Sequence, residues 1–240
     1  MPERLPQPRL TEPVEVTPSG KSIVREYLEA FVVALGLALL LRTFLIQPYK
    51  IPSGSMEQTL LIGDHIMVNK LIYGLRIPDS FFGLTPFAHE IPYGTYLFQL
   101  EPVHRGDVVV FVPPIDPTKD FIKRVVGIPG DTVAVKDGML YLNGAPAPTP
   151  PGTHYVVPPD QRDSSQRDSM DPITLQANQY FMMGDNRDRS YDSRFWGPIT
   201  RDEVEGRAMF IYWSCRGGED ASPFRCLYDV RWSRLFKPVD

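Results

Sequence analysis

Residues 121–144 read FIKRVVGIPGDTVAVKDGMLYLNG, and the punctuation of this stretch decides the fold. FIKRVV at 121–126 and DTVAV at 131–135 are short β-branched runs of strand length. Asp137-Gly138 and Asn143-Gly144 bracket MLYL, and such pairs are strong hairpin signals because both central residues tolerate positive φ. Similar runs lie outward on both sides: HIMVN at 65–69, DVVVFV at 107–112, YFMM at 180–183 and AMFIYW at 208–213. The 25 prolines in 240 residues are roughly twice the usual ~5%, which disfavours a helical bundle. The reading is mostly β, antiparallel, with tight turns. Residues 145–178 are rich in Pro, Ser, Asp and Gln without a period, so about 137–180 is expected to form an inserted hairpin or loop subdomain.

The 42% hydrophobic content is enough for a core and excludes disorder throughout. A formal charge of −4 lacks the basic footprint of a nucleic-acid binder, so no nucleic-acid partner is expected. Cys215 and Cys226 are too few for a disulfide-built miniprotein, and no His stands at zinc-ligand spacing from them, so no structural metal is expected.

Residues 27–46, YLEAFVVALGLALLLRTFLI, contain an unbroken apolar run from Ala30 to Leu41. As one helix, Leu28 to Ile46 covers about 28 Å, close to the ~30 Å hydrocarbon thickness, with Arg42 able to snorkel. A cleavable signal peptide has a comparable apolar run, but the long leader here and the lack of a small-x-small site after it favour an uncleaved anchor. Arg4, Arg9, Lys21 and Arg25 precede the span and place the N-terminus in the cytoplasm by the positive-inside rule. Residues 1–26 then form a disordered cytoplasmic tail, and 47–240 form the working domain outside. There Cys215 and Cys226 meet an oxidising compartment, where a bridge would stabilise by ~2–3 kcal/mol in the chain-entropy model; two free thiols are the alternative. The aromatic-rich stretch 71–104 reads either as core or as a patch resting on membrane lipid.

Three islands carry candidate chemistry. Ile51-Pro52-Ser53-Gly54-Ser55-Met56 sets two hydroxyls about a glycine, and alone is only a turn. No His lies in a triad context to activate a serine. FIKRVV supplies another base: on a strand Phe121, Lys123 and Val125 share one face while Ile122, Arg124 and Val126 share the other. Arginine stays protonated whereas a desolvated lysine loses its proton, so Lys123 is the chemically usable one, unless both heads reach solvent. The third island, GDNRDRSYDSR at 184–194, fails as a calcium loop because Ser193 and Ile199 stand where an EF-hand needs Gly and Glu. Its alternating acids and arginines read as an ion-paired loop presenting Ser190.

Together, in this order and after an anchor, RTFLIQPYKIPSGSM, GDHIMVNK, RGDVVVF, FIKRVVGIPGD and GDNRDRSYDSRFWG resemble the bacterial type I signal peptidases. The resemblance implies a Ser/Lys peptidase on a mostly β fold containing an SH3-like barrel, removing signal peptides from exported preproteins at the outer face of the cytoplasmic membrane. It implies Ser55 as nucleophile, Lys123 as general base, Ser53 and the Ser55 N–H as oxyanion donors, and Ser190 as the residue that hydrogen-bonds and orients the lysine. Arg124, Asp185, Asp192 and Arg194 become structural ion-pair residues, and Ile51, Met56, Leu60, Phe121 and Ile122 wall the substrate pockets. In an extended substrate the −1 and −3 side chains point one way and −2 the other, so shallow apolar pockets imply cleavage after Ala-x-Ala. No cofactor is required. Gln58 departs from the family motif, which usually has proline there, a change that loosens the turn and removes no catalytic group. The stretch 214–240, with its two cysteines, lies outside the resemblance. Self-cleaving repressors share the dyad but carry a DNA-binding head, which is not seen here; a catalytically dead peptide-binding module is opposed by the intact Ser53, Ser55, Lys123 and Ser190.

Overall fold

The computed structural model describes residues 22–76, 96–158, 168–216 and 225–239. Most of the expected cytoplasmic tail, and Phe81, Phe82 and Phe87 of the aromatic stretch, lie outside the described residues. The chain divides into two compact units, Met1–Ala38 and Leu39–Asp240.

Helix α1 runs Ile23–Phe44. Its start is set by Ser22, whose hydroxyl accepts the Arg25 N–H at 3.3 Å in the manner of an N-cap. Arg25 also pairs with Glu29 one turn on, at 2.8 Å. None of its side chains is buried, and it is the one described helix long and apolar enough to cross a membrane. Its 22 residues span about 33 Å at 1.5 Å each. Ile46, expected inside the span, instead opens a strand, because proline at 48 pushes Gln47 toward extended backbone.

That strand, β1 (Ile46–Lys50), pairs antiparallel with β2 (Asp64–Asn69), with Ile46 opposite Asn69 and Lys50 opposite His65. Pro48 is tolerated because β1 lies at the edge of its sheet. β3 (Gly74–Arg76) and β4 (Tyr96–Gln99) form a small ribbon. β5 (Val108–Phe111) and β6 (Phe121–Gly127) pair antiparallel, placing Val109 opposite Lys123. β7 (Thr132–Lys136), β8 (Met139–Leu142) and β9 (Ala145–Pro146) follow as a meander, and β10 (Met170–Thr174) returns to flank β7. This second sheet begins at Thr132, ahead of the 137–180 stretch expected to be inserted. Asp137 and Asn143 both adopt positive φ, as the two hairpin signals require. β11 (Gln179–Met183), helix α2 (Ser193–Trp196), β12 (Ile199–Thr200), β13 (Val204–Ser214) and helix α3 (Arg225–Tyr228) complete the order.

The main sheet has seven strands in the order β1-β2-β13-β5-β6-β11-β12, every pair antiparallel. The mostly β class read from sequence is therefore correct. β13 runs eleven residues and carries register shifts against both neighbours; such bulges bend a strand and let the sheet curl. Ile51, Met56, Leu60, Ile66, Val68, Val108, Val110, Ala208 and Ile211 fill one buried cluster. Phe111, Val125, Tyr180, Met182 and Val204 help fill another.

The tail after α3 folds back on this sheet. Arg234 donates to Asp64 at 2.6 Å and to the Thr59 carbonyl at 2.8 Å, Arg231 donates to the Ile62 carbonyl at 3.0 Å, and Val239 is buried beside Ile51 and Leu60. Cys215, at the end of β13, is disulfide-bonded to Cys226 in α3. Of the two states left open by sequence, the structure has the bridge.

Candidate active site

Ser55 sits between β1 and β2, in an excursion whose neck is closed by two backbone bonds, Ile51 N–H to Asp64 O and Gly63 N–H to Ile51 O. Within it Gly54–Met56 make one turn of 3-10 helix. Ser53 precedes that turn with extended backbone, an exposed side chain and no capping bond. The first N–H groups of a helical turn have no partner inside it, and the Ser55 N–H is one of these. Gln58 has φ 74°, in the left-handed region that the proline ring forbids. The departure from the family motif is therefore a different backbone and more than a looser turn.

Lys123 comes from the middle of β6. Its Nζ lies 2.7 Å from Ser55 Oγ and donates to the Ile122 carbonyl at 3.1 Å. Phe121, two residues away on the same face, sets its ring centroid 5.4 Å from Nζ. Lys123 is 5% exposed and Ser55 7%. Burial holds the lysine pKa down at about 8, against opposing fields from Asp192 and Asp185. Neither basic head of FIKRVV reaches solvent. Arg124 leaves on the other face and is 2% exposed. It makes a forked pair with Asp185, Nε to Oδ1 at 2.9 Å and Nη2 to Oδ2 at 2.8 Å.

The loop after β11 closes the site. Asp192 caps α2 and pairs with Arg194 through Nε–Oδ1 at 2.8 Å and Nη2–Oδ2 at 2.9 Å. Its Oδ2 also accepts the Gly184 N–H at 3.0 Å. Arg194 reaches on to the Arg187 carbonyl at 2.6 Å. Buried pairs of this kind weigh a large desolvation cost against good geometry, and removing one partner leaves a charge stranded. They fix this loop in place. A Cβ on Gly184 would fall 2.3 Å from Ser190 Oγ and 2.4 Å from the Ser55 carbonyl, so only glycine lets this loop approach the serine segment so closely.

The Ser190 hydroxyl is buried and makes no hydrogen bond, and a bond to it is not among those the lysine makes. The Ser55 hydroxyl and Ile122 carbonyl take the Lys123 nitrogen instead. The five expected pocket residues also divide: Ile51, Met56 and Leu60 are enclosed in one cluster with half-buried Ile122 against it, whereas Phe121 packs with the other.

Two contributors escaped the sequence reading. Asn186, fully buried, donates its N–H to the Ser55 carbonyl at 3.1 Å and its side-chain amide to the Gly54 carbonyl at 3.2 Å. Thr59 donates its hydroxyl to Asp185 Oδ2 at 2.5 Å. Asn186 lay inside a stretch already singled out, so its place there was the available clue; Thr59 carried none.

A serine hydroxyl, a lysine nitrogen and a loop of ion pairs, drawn from three distant parts of the chain, thus meet in one buried place. Residues 24–213 match the sequence profile of the family described as signal peptidase, peptidase S26. The chain belongs to the signal peptidase family. It is 39% identical to signal peptidase I of Pseudomonas aeruginosa, over 87% of this chain and 78% of that one. Its identity to signal peptidase I of Pseudomonas fluorescens is 34%, over 79% and 72%. A crystal structure of a signal peptidase I from Enterococcus faecalis is similar to 45% of this chain and 97% of that one, at 28% identity and a TM-score of 0.35. A signal peptidase is a peptide-bond hydrolase that processes chains bearing signal peptides, and the apolar helix α1 fits a membrane-anchored protein.

Proposed function

We propose that this signal peptidase cuts preproteins by a Ser/Lys mechanism, with Ser55 as nucleophile and Lys123 as general base. The observation that carries the reading is the 2.7 Å approach of Lys123 Nζ to Ser55 Oγ in a buried setting. A neutral Nζ takes the hydroxyl proton as Oγ bonds to the scissile carbonyl carbon, and returns it to the leaving amine as the peptide bond breaks. Water then releases the acyl group from Ser55 by the same proton relay. The carbonyl oxygen, negative in the intermediate, accepts from the Ser55 N–H and the Ser53 hydroxyl. Ser190, whose hydroxyl is uncommitted, orients the lysine once substrate takes Ser55 away from it. Arg124, Asp185, Asp192 and Arg194 hold the frame.

Substrate enters as an extended strand beside β6. Ile51, Met56, Leu60, Phe121 and Ile122 underlie its −1 and −3 residues, leaving room for alanine at both, with −2 free. Helix α1 spans the cytoplasmic membrane with its N-terminus in the cytoplasm and residues 47–240 on the outer face, in the periplasm where an outer membrane exists. Membrane lipid is a partner and nucleic acid is not.

The test uses the full chain in detergent with a preprotein, sequencing the new N-terminus of the product. Cleavage after Ala-x-Ala is expected, lost in Ser55→Ala and in Lys123→Arg at unchanged far-UV circular dichroism. Turnover by Lys123→Arg within about tenfold of the unaltered chain would overturn the dyad, since arginine offers no neutral nitrogen.

A further inference from the structure

Three donor side chains unconnected with Ser55 converge where β2, β13 and α3 meet. Trp213 stands opposite His65 in the β2–β13 register. Side chains two apart on a strand share a face, so Cys215 falls diagonally across from His65 on that face, within reach of a long side chain. Cys226 is brought there by its bond to Cys215. His65 Nε2 and the two sulfurs lie within 4.8 Å of one another, the one such cluster among the described residues. Sequence spacing gives no hint of it, because the histidine comes from a strand 150 residues earlier.

The imidazole nitrogen is the telling atom. His65 Nε2 is shut away from solvent and has no hydrogen-bond partner, although buried side-chain polar atoms nearly always have one. Its ring meets Tyr212 edge-on at 5.9 Å between centroids, a contact that makes no use of that nitrogen. No carboxylate belongs to the cluster. Neighbouring Asp64 is committed to Arg234 and to the Ser214 hydroxyl, on the face opposite His65. Two sulfurs and an imidazole without oxygen ligands suit a thiophilic cation and not calcium or magnesium.

We propose that, when the disulfide is opened, Cys215 Sγ, Cys226 Sγ and His65 Nε2 form a three-ligand site for a divalent cation of the zinc class, which keeps the tail fastened to β13 and β2. A dithiol reductant delivers two electrons and two protons to the disulfide and is itself oxidised to a disulfide, leaving two thiols. On binding the cation both thiols lose their protons to solvent, and the imidazole contributes its lone pair. Two thiolates neutralise the divalent charge, and water completes a tetrahedron. Tetrahedral Zn–S and Zn–N bonds of about 2.3 and 2.0–2.1 Å set ligand atoms roughly 3.4–3.8 Å apart. The three atoms lie within 4.8 Å of one another, so the sulfurs must part and the imidazole close in by up to about 1 Å to reach that geometry. The half-buried Cys226, on a helix of four residues, is the one free to move.

The site is independent of the peptidase reading, and so is its test. The full chain in detergent, reduced with a dithiol and desalted without oxygen, is titrated with Co²⁺ as a spectroscopic substitute for zinc. Expected are one equivalent bound per chain, thiolate-to-cobalt absorption in the near ultraviolet, displacement by Zn²⁺, and no such absorption from the oxidised chain. His65→Gln should weaken binding on the order of tenfold or more, and Cys226→Ser should remove the absorption. Absence of the band in the reduced chain, or equal affinity in His65→Gln, overturns the proposal. If reduction unfolds the chain, cobalt meets the cysteines without His65, and equal affinity again decides against it.

Discussion

Asn186 holds Ser55 by the main chain: its N–H donates to the Ser55 carbonyl at 3.1 Å while its side chain secures Gly54 just before it. The proposed nucleophile is therefore fixed from the loop after β11 as well as by its own turn. Asn186→Ala removes the amide and leaves a carbonyl and the buried loop short of a partner, at about 1–3 kcal/mol. We predict a small loss of thermal stability and a fall in kcat of roughly 10- to 100-fold with little change in KM, because displacing a reacting atom by about 1 Å costs on that order. Steady-state kinetics on a peptide substrate check it.

The lysine pKa of about 8 predicts the pH dependence. Only the neutral amine accepts a proton, so kcat/KM should rise with pH through about 8 and level above it. A profile already flat from pH 6 would contradict Lys123 as the base.

The same burial has a cost in stability. Desolvation lowers the folded pKa from 10.5 to about 8, so the unfolded chain binds more protons between those values and stability rises with pH there. Below pH 8 the folded state bears the full penalty, about 3 kcal/mol at 1.36 kcal/mol per unit. Lys123→Met, of similar volume, should be inactive yet more stable by that order at pH 7, with the difference fading above pH 10.5. Denaturant midpoints at pH 7 and 10.5 measure it.

Gln58 is the residue where the family pattern misleads. With φ at 74°, Gln58→Pro forces φ toward −65° and must rebuild the turn after Ser55. We predict loss of stability by more than about 1 kcal/mol and reduced cleavage, whereas Gln58→Gly, which relieves the left-handed strain, leaves both intact. Thermal melts and turnover of the two variants separate these outcomes.

The sequence carried the β class, the hairpins and the three islands, because period and turn chemistry are local. Lys123 over Arg124 could be chosen since only one of them gives up a proton. What joins the islands is not local. The pairing that sets Val109 against Lys123, and the bulged strand that brings His65 beside two cysteines, depend on strand order. Helix α1 stops at Phe44 although the hydrophobic count continues through Leu45 and Ile46, because the backbone responds to Pro48. A motif gives Ser190's identity, but its lack of a hydrogen-bond partner depends on which neighbours the fold brings within reach, and no local pattern holds that.

The contact between Arg234 and the Thr59 carbonyl joins residues 175 positions apart, which imposes an order on biogenesis. At about 5–20 residues per second, roughly 9–35 s separate synthesis of the Ser55 segment from synthesis of the arginine that braces it. In the later part of that interval, once residue 123 has been made, the emerging chain holds its hydroxyl and its lysine without the arginine that braces the serine segment.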